Sequence, residues 1–158
     1  MKTTREMLRH AVATVAYRGG KTVRDAPQAF AEFRAGATSR TAAEILSHMG
    51  DLFDWALTQA KGDEAWHESG AGAWEATADR FFRSLASFDA YLASDQPIKC
   101  SEERLLQGPI ADALTHIGQL AMLRRLAGAP VRGESYARAD IAIGRVGREQ
   151  SAPRREFD

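Results

Sequence analysis

The stretch Pro109–Gly128, PIADALTHIGQLAMLRRLAG, decides how the rest of the chain is read. It has the pattern of one amphipathic helix. Proline suits a first helical position, where its missing N–H would be unpaired anyway. Gly128 followed by Pro130 is a stop signal. Within the helix Asp112 and His116 are four residues apart and so point the same way, one turn apart. Gln119 continues that row. A carboxylate, an imidazole and an amide are thus stacked beside the apolar stripe of Ile110, Ala113, Ile117 and Leu120. Two ligand-type side chains at this spacing on a rigid helix need a third from elsewhere, and His48 on an earlier helix offers it.

That helix must find partners. The 158 residues suit a single domain, and 44% hydrophobic content is enough for a real core. Lysine plus arginine, 21, equal aspartate plus glutamate, 21, and this balance argues against a nucleic-acid partner, which usually calls for a basic excess. Cys100 is the one cysteine, so no internal disulfide forms. With no secretory signal evident, the expected compartment is a reducing cytoplasm. No apolar run approaches the roughly 20 residues of a membrane helix, so no membrane partner is expected.

Outward from the decisive stretch, the spacing predicts three more long helices. Residues 3–18 place Met7, Leu8, Ala11, Val12 and Val15 at helical spacing, with Gly19-Gly20 as the expected end. His10 lies on the more polar neighbouring row; lining the same cavity as His48 is one reading, a core or surface role the plainer one. Residues 21–39 read as a loop pinned by Phe30 and Phe33. Thr41-Ala42-Ala43-Glu44 is a capping box that opens the second helix, which ends near Lys61-Gly62. Ile45, His48, Leu52 and Trp55 form a bundle seam along it. Trp55 is read as core first and pocket wall second. Residues 63–72 are a connection. The third helix covers about 73–94, with Trp74, Ala78, Phe81, Leu85, Phe88 and Leu92 as its core face. A lead-in from Ser101 through Leu106 kinks at Gly108-Pro109 into the fourth helix. Residues 129–158 read as an extended tail over the bundle, frayed at its end, its arginines Arg132, Arg138, Arg145 and Arg148 in salt bridges, with recognition of an anionic substrate as the alternative for some of them. The expectation is one all-α domain, 1–158, with a four-helix bundle over about 3–128, up-down-up-down being the simplest order.

Imidazole and carboxylate suit zinc, nickel or ferrous iron, and three protein ligands leave positions open for water or substrate. Gln119 is placed to hydrogen-bond a ligand or a bound water. The bland alternative is a hydrogen-bonded core histidine at 48 and an ordinary Asp112–His116 contact, with Asp112 complementing the helix dipole. Against it, two seam-side histidines and an acid must all find partners, and one cation satisfies the three together. Cys100 has no histidine near it in sequence, which argues against a catalytic thiol.

The segments ILSHMGDLFDWAL around His48 and LTHIGQLAMLRRLAG around His116 resemble the DinB-like superfamily, the DinB/YfiT-like metalloenzymes. Its mark is a histidine early in the second helix and a late helix with HxxxH followed closely by Gly-Gln. Here His48 and His116 take the outer roles and Gly118-Gln119 matches the pair. Asp112 departs from the pattern, which usually has histidine there. A carboxylate still ligates, with an altered metal preference; the alternative is a weak or empty site. The resemblance covers roughly residues 3–128. It implies an up-up-down-down-type bundle of right-handed twist, a homodimer, and a divalent ion, commonly nickel or zinc, with iron a further candidate. It also implies chemistry on a small molecule, by hydrolysis or by transfer or isomerisation dependent on a low-molecular-weight thiol such as mycothiol, bacillithiol or glutathione, as in maleylpyruvate isomerase-like proteins. The competing expectation is a non-catalytic helical dimer with a structural, degenerate or vacant site.

Overall fold

The structure, a computed structural model, describes residues 3–157. It is mostly helical. Helix α1 is Thr4–Val23, α2 is Ala42–Lys61 and α3 is Trp74–Ala93. A fourth rod is built from α4 (Glu102–Leu105), a π-helical turn (Leu106–Ile110) and α5 (Ala111–Leu126). The core stripe expected on α3 is buried along its whole length. On α2 the deepest stripe is Leu46, Met49, Phe53 and Ala56, while His48 and Trp55 lie at its half-open edge.

Two helix starts are set by local chemistry. At Thr41 the hydroxyl accepts the Glu44 N–H and the Glu44 carboxylate accepts the Thr41 N–H, as the capping box predicts. Thr3 and Glu6 form a second box at the start of α1, which the sequence reading missed. Gly62 ends α2 with φ +83°, a left-handed conformation that favours glycine.

Two expected boundaries are corrected. Gly19-Gly20 does not end α1, which runs on to Val23. A Cβ at Gly19 would stand 3.2 Å from the Phe81 ring, so glycine is there to let α1 and α3 close on each other. Pro109 is not a first helical residue either. It sits inside the π-helical turn, where the Ala111 N–H reaches the Leu106 carbonyl five residues back. The wider turn accommodates a proline that lacks an N–H and would crowd the preceding turn of an α-helix.

Helix order departs from both the up-down-up-down and the up-up-down-down expectations. Arg9 pairs with Asp89 at 2.9 Å near one end, and Gly19 packs on Phe81 further along, so α1 and α3 are antiparallel. Phe53 meets Phe81 and Phe88, and Lys61 approaches Tyr91, so α2 and α3 are parallel. His48 meets His116 while Trp55 meets Gly108, so α5 runs against α2. The order is up-down-down-up, with α1 and α2 each packed on both α3 and α5. Because α2 and α3 are parallel, segment 62–73 must travel back along the bundle by roughly 30 Å, the length of a 20-residue helix. It does so beside α2. Glu64 accepts from Trp55 Nε1, the Ala65 N–H bonds Thr58, the Ser69 N–H bonds Asp51, and the Ser47 hydroxyl donates to the Gly70 carbonyl.

The tail is tied down rather than frayed as far as Phe157. Gly133–Glu134 (β1) pairs antiparallel with Glu156–Phe157 (β2). Buried Glu134 accepts from Tyr17 Oη at 2.6 Å and Lys21 Nζ at 2.8 Å, and Lys21 also donates to Glu156 at 2.8 Å. Arg132, Arg145 and Arg148 form the expected ion pairs, with Glu156, Asp140 and the Asp79–Glu75 pair. Arg124 is buried and donates to the Thr22, Arg24 and Ala129 carbonyls, strapping α5 to the end of α1.

Two outcomes follow from this packing. Gly19→Val drives a branched side chain into Phe81 and lowers stability by about 1–3 kcal/mol in urea denaturation. The tail clasp has a pH window. Hydrogen bonding from Lys21 lowers the Glu156 carboxyl, so its contribution is lost as pH falls through that depressed value. Burial pulls the Lys21 ammonium down, but its two carboxylate partners outweigh that and raise it, so its contribution is lost only at strongly alkaline pH. The Gly133 amide resonance is expected to stay constant between about pH 5 and 10 and to move outside that range.

Candidate metal centre

His48 is held by the second turn of α2, Asp112 and His116 by the first turns of α5. Capping at Thr41 and the π-helical turn before Ala111 therefore set the rotation of the two faces that meet. His48 Nε2 stands 3.6 Å from Asp112 Oδ2, and His116 Nδ1 stands 3.2 Å from Asp112 Oδ1. The two imidazole centroids are 4.7 Å apart. One ligand atom from each of the three residues falls within 4.8 Å of the others. His116 is buried, and His48 and Asp112 are partly open.

The donor set fits a divalent ion. Around a four-coordinate ion with bonds of about 2.0–2.2 Å, neighbouring ligand atoms stand roughly 3.4 Å apart. The 3.6 Å separation of His48 and Asp112 is already close to that. His116 Nδ1 lies 2.8 Å from the Asp112 main-chain carbonyl, which can only accept. The proton therefore sits on Nδ1, and Nε2 keeps its lone pair for coordination. These three residues could hold a metal ion.

Burial is the largest influence on the His48 imidazole and pushes its pKa below the ordinary value; the His116 and Arg40 charges push the same way, and Asp112 opposes them. A neutral ring is the form that ligates.

The crossover segment walls the site. Trp66 sets its ring edge-on to His48 at 5.4 Å, and Trp55 lies 5.8 Å from Trp66. Together with Leu52 and Glu64 they line a hollow that opens on His48 and Asp112. Trp55 is thus half-buried pocket wall. A second hollow, toward the loop before α2, reaches His48 past Arg34 and Arg40. A third, floored by α5, ends on His116.

Two expected members sit elsewhere. Gln119 is exposed and lines the third hollow without bonding a ligand residue. His10 does not join the cluster: it lies on α1, diagonal to α2, at the level of the Arg9–Asp89 pair. Cys100 is remote from the cluster, and burial raises its thiol pKa, which keeps it protonated. Sequence reasoning missed Trp66 and Arg40. Trp66 was visible as a large apolar residue in a polar connection, but its place beside His48 depends on α2 and α3 being parallel. Arg40, next to the Thr41 cap, carried no periodic signal at all.

Comparison with protein-family models, with curated proteins and with solved structures gives no match. Among the described residues no helix is long and apolar enough to cross a membrane.

In metal-free protein, imidazole NMR should place the His48 midpoint below about 6.5. Arg40→Met removes a repelling charge and moves it up; Asp112→Asn removes the attracting carboxylate and moves it further down. A midpoint unmoved by both changes would contradict the geometry.

Proposed function

We propose that the chain is a divalent-metal-dependent enzyme of the DinB-like superfamily, acting on a small molecule. The carrying observation is the meeting of His48, Asp112 and His116, from two distant helices, within 4.8 Å. Nickel or zinc is the ion this reading assigns, with iron as the further candidate. The departure at Asp112 keeps an oxygen donor where the superfamily pattern usually has nitrogen.

A divalent ion held there supplies Lewis acidity, lowering the pKa of a water or thiol that it takes up. The chain's own residues do the rest. His48 and His116 present nitrogen donors, and the Asp112 carbonyl fixes the His116 ring by accepting a hydrogen bond from Nδ1–H. The Asp112 carboxylate offsets one of the two positive charges of the ion. Trp55 and Trp66 wall the approach to His48. Among the described residues no separate histidine or cysteine base adjoins the cluster, so the reading assigns activation of the nucleophile to the ion. The reactions that fit are hydrolysis and thiol-dependent transfer or isomerisation. The same reading carries a homodimer, checked by light scattering.

Protein purified without a histidine tag is expected to carry about one nickel or zinc per chain by elemental analysis, and His48→Ala or His116→Ala to lose it. A panel of low-molecular-weight thiols and electrophiles should then show turnover that chelation abolishes. Protein that takes up neither ion, with His48→Ala as stable as the parent, would leave the non-catalytic bundle as the reading.

A further inference from the structure

The hollow that ends on His116 has a composition different from its neighbours. Its volume is about 420 Å³. At ~30 Å³ per water-sized group this holds about a dozen non-hydrogen atoms. Its lining is mainly apolar: Ile45 comes from α2, and Met122, Leu123 and Leu126 from α5. Met122 and Leu126 are 53% and 57% exposed, so this apolar surface has no cover within the chain. One cation, Arg40, stands at its rim, and no acid lines it.

Arg40 forms no ion pair with any described residue. Other arginines near the bundle are committed: Arg80 to Asp51 and Asp54, Arg9 to Asp89, Arg148 to Asp79 and Glu75. Arg40 also borders the second hollow, which it shares with Arg34, Glu44, Asp51 and Glu68. The apolar hollow thus offers a single planar guanidinium, an apolar floor and an imidazole of the cluster.

We propose that this hollow binds a small amphipathic carboxylate, its head group paired with Arg40 and its apolar body against Ile45, Met122, Leu123 and Leu126. Guanidinium presents two parallel N–H donors that match a carboxylate. A phosphate dianion calls for a second cation, and none lines this hollow. An amine is repelled by Arg40, and a neutral alcohol leaves the guanidinium without a partner. The inference deepens the metalloenzyme reading by naming its substrate class, and rests on that reading only in setting the reacting end of the molecule beside His116. The binding itself needs no metal.

The test uses the full chain stripped of metal with chelator, followed by amide NMR during titration with hexanoate, 1-hexanol or inorganic phosphate. Hexanoate is expected to give saturable shifts at Ile45 and Leu123. Hexanol is expected to bind about tenfold more weakly, the loss of one charge-assisted pair. Phosphate should give no saturable shift there. Arg40→Met should weaken hexanoate about tenfold and leave hexanol unchanged, Arg40→Lys should recover part of the loss, and Arg34→Met should change nothing. The amide spectrum of each variant reports whether it is folded. Equal binding of hexanoate and hexanol, saturable phosphate binding, insensitivity to Arg40→Met, or no binding of hexanoate would each overturn the proposal. Hexanoate binding by parent protein that takes up neither nickel nor zinc would uphold this site while the metalloenzyme reading fails.

Discussion

The parallel packing of α2 on α3 constrains everything that matters about the site. Consecutive helices in a bundle usually turn back on each other, and a short loop suffices. Here the chain leaves α2 at one end and must enter α3 at the other. Segment 62–73 therefore lies along the bundle, hydrogen-bonded in turn to Thr58, Trp55, Asp51 and Ser47 of α2. That path brings Trp66 beside His48 and makes a wall of what would otherwise be a surface loop. It also leaves α2 free on its remaining side to face α5, which carries Asp112 and His116.

Some of this was legible in the sequence, because some of it is local. A capping box is satisfied within four residues, so Thr41 and Glu44 announce themselves. The unbroken apolar spacing on α3 likewise fixes which face is buried. The pairing of His48 with the Asp112–His116 row was readable because an apolar seam that carries polar side chains must bring them together somewhere. Glycine and proline misled for a related reason: their local meaning is a break, and tertiary packing overrode it. Gly19 is small so that Phe81 can approach, and the π-helical turn gives Pro109 room. Helix order was not legible, since it depends on which of several apolar faces mate, and loop length alone does not decide that. Everything that depends on helix order, including Trp66 and the hollow beside Arg40, was hidden with it.

The three polar residues of the cluster also explain why an empty site need not collapse. Asp112 lies within reach of both imidazoles, and His116 Nδ1–H already donates to a main-chain carbonyl. Asp112 and His116 thus have partners within the cluster before any ion arrives. This distinguishes the arrangement from small metal-dependent folds, where ligands have no alternative partner and the chain unfolds without its ion. Here the core lies elsewhere, among Phe53, Phe81, Phe88 and their neighbours.

Charge is what separates this site from one made of imidazoles alone. Three neutral nitrogen donors leave the full charge of a divalent ion to act on whatever approaches. Replacing one of them with the Asp112 carboxylate removes one unit, which weakens the pull on an anion at the centre. Arg40 returns a positive charge at the rim of the apolar hollow, near enough to His48 to act on its imidazole. A carboxylate that pairs there is anchored by its head, and its other end is the part left to reach His116. In the proposed arrangement the recognised group and the reacting group are different ends of the molecule, so the guanidinium that would bind and the ion that would activate do not compete for the same oxygen atoms.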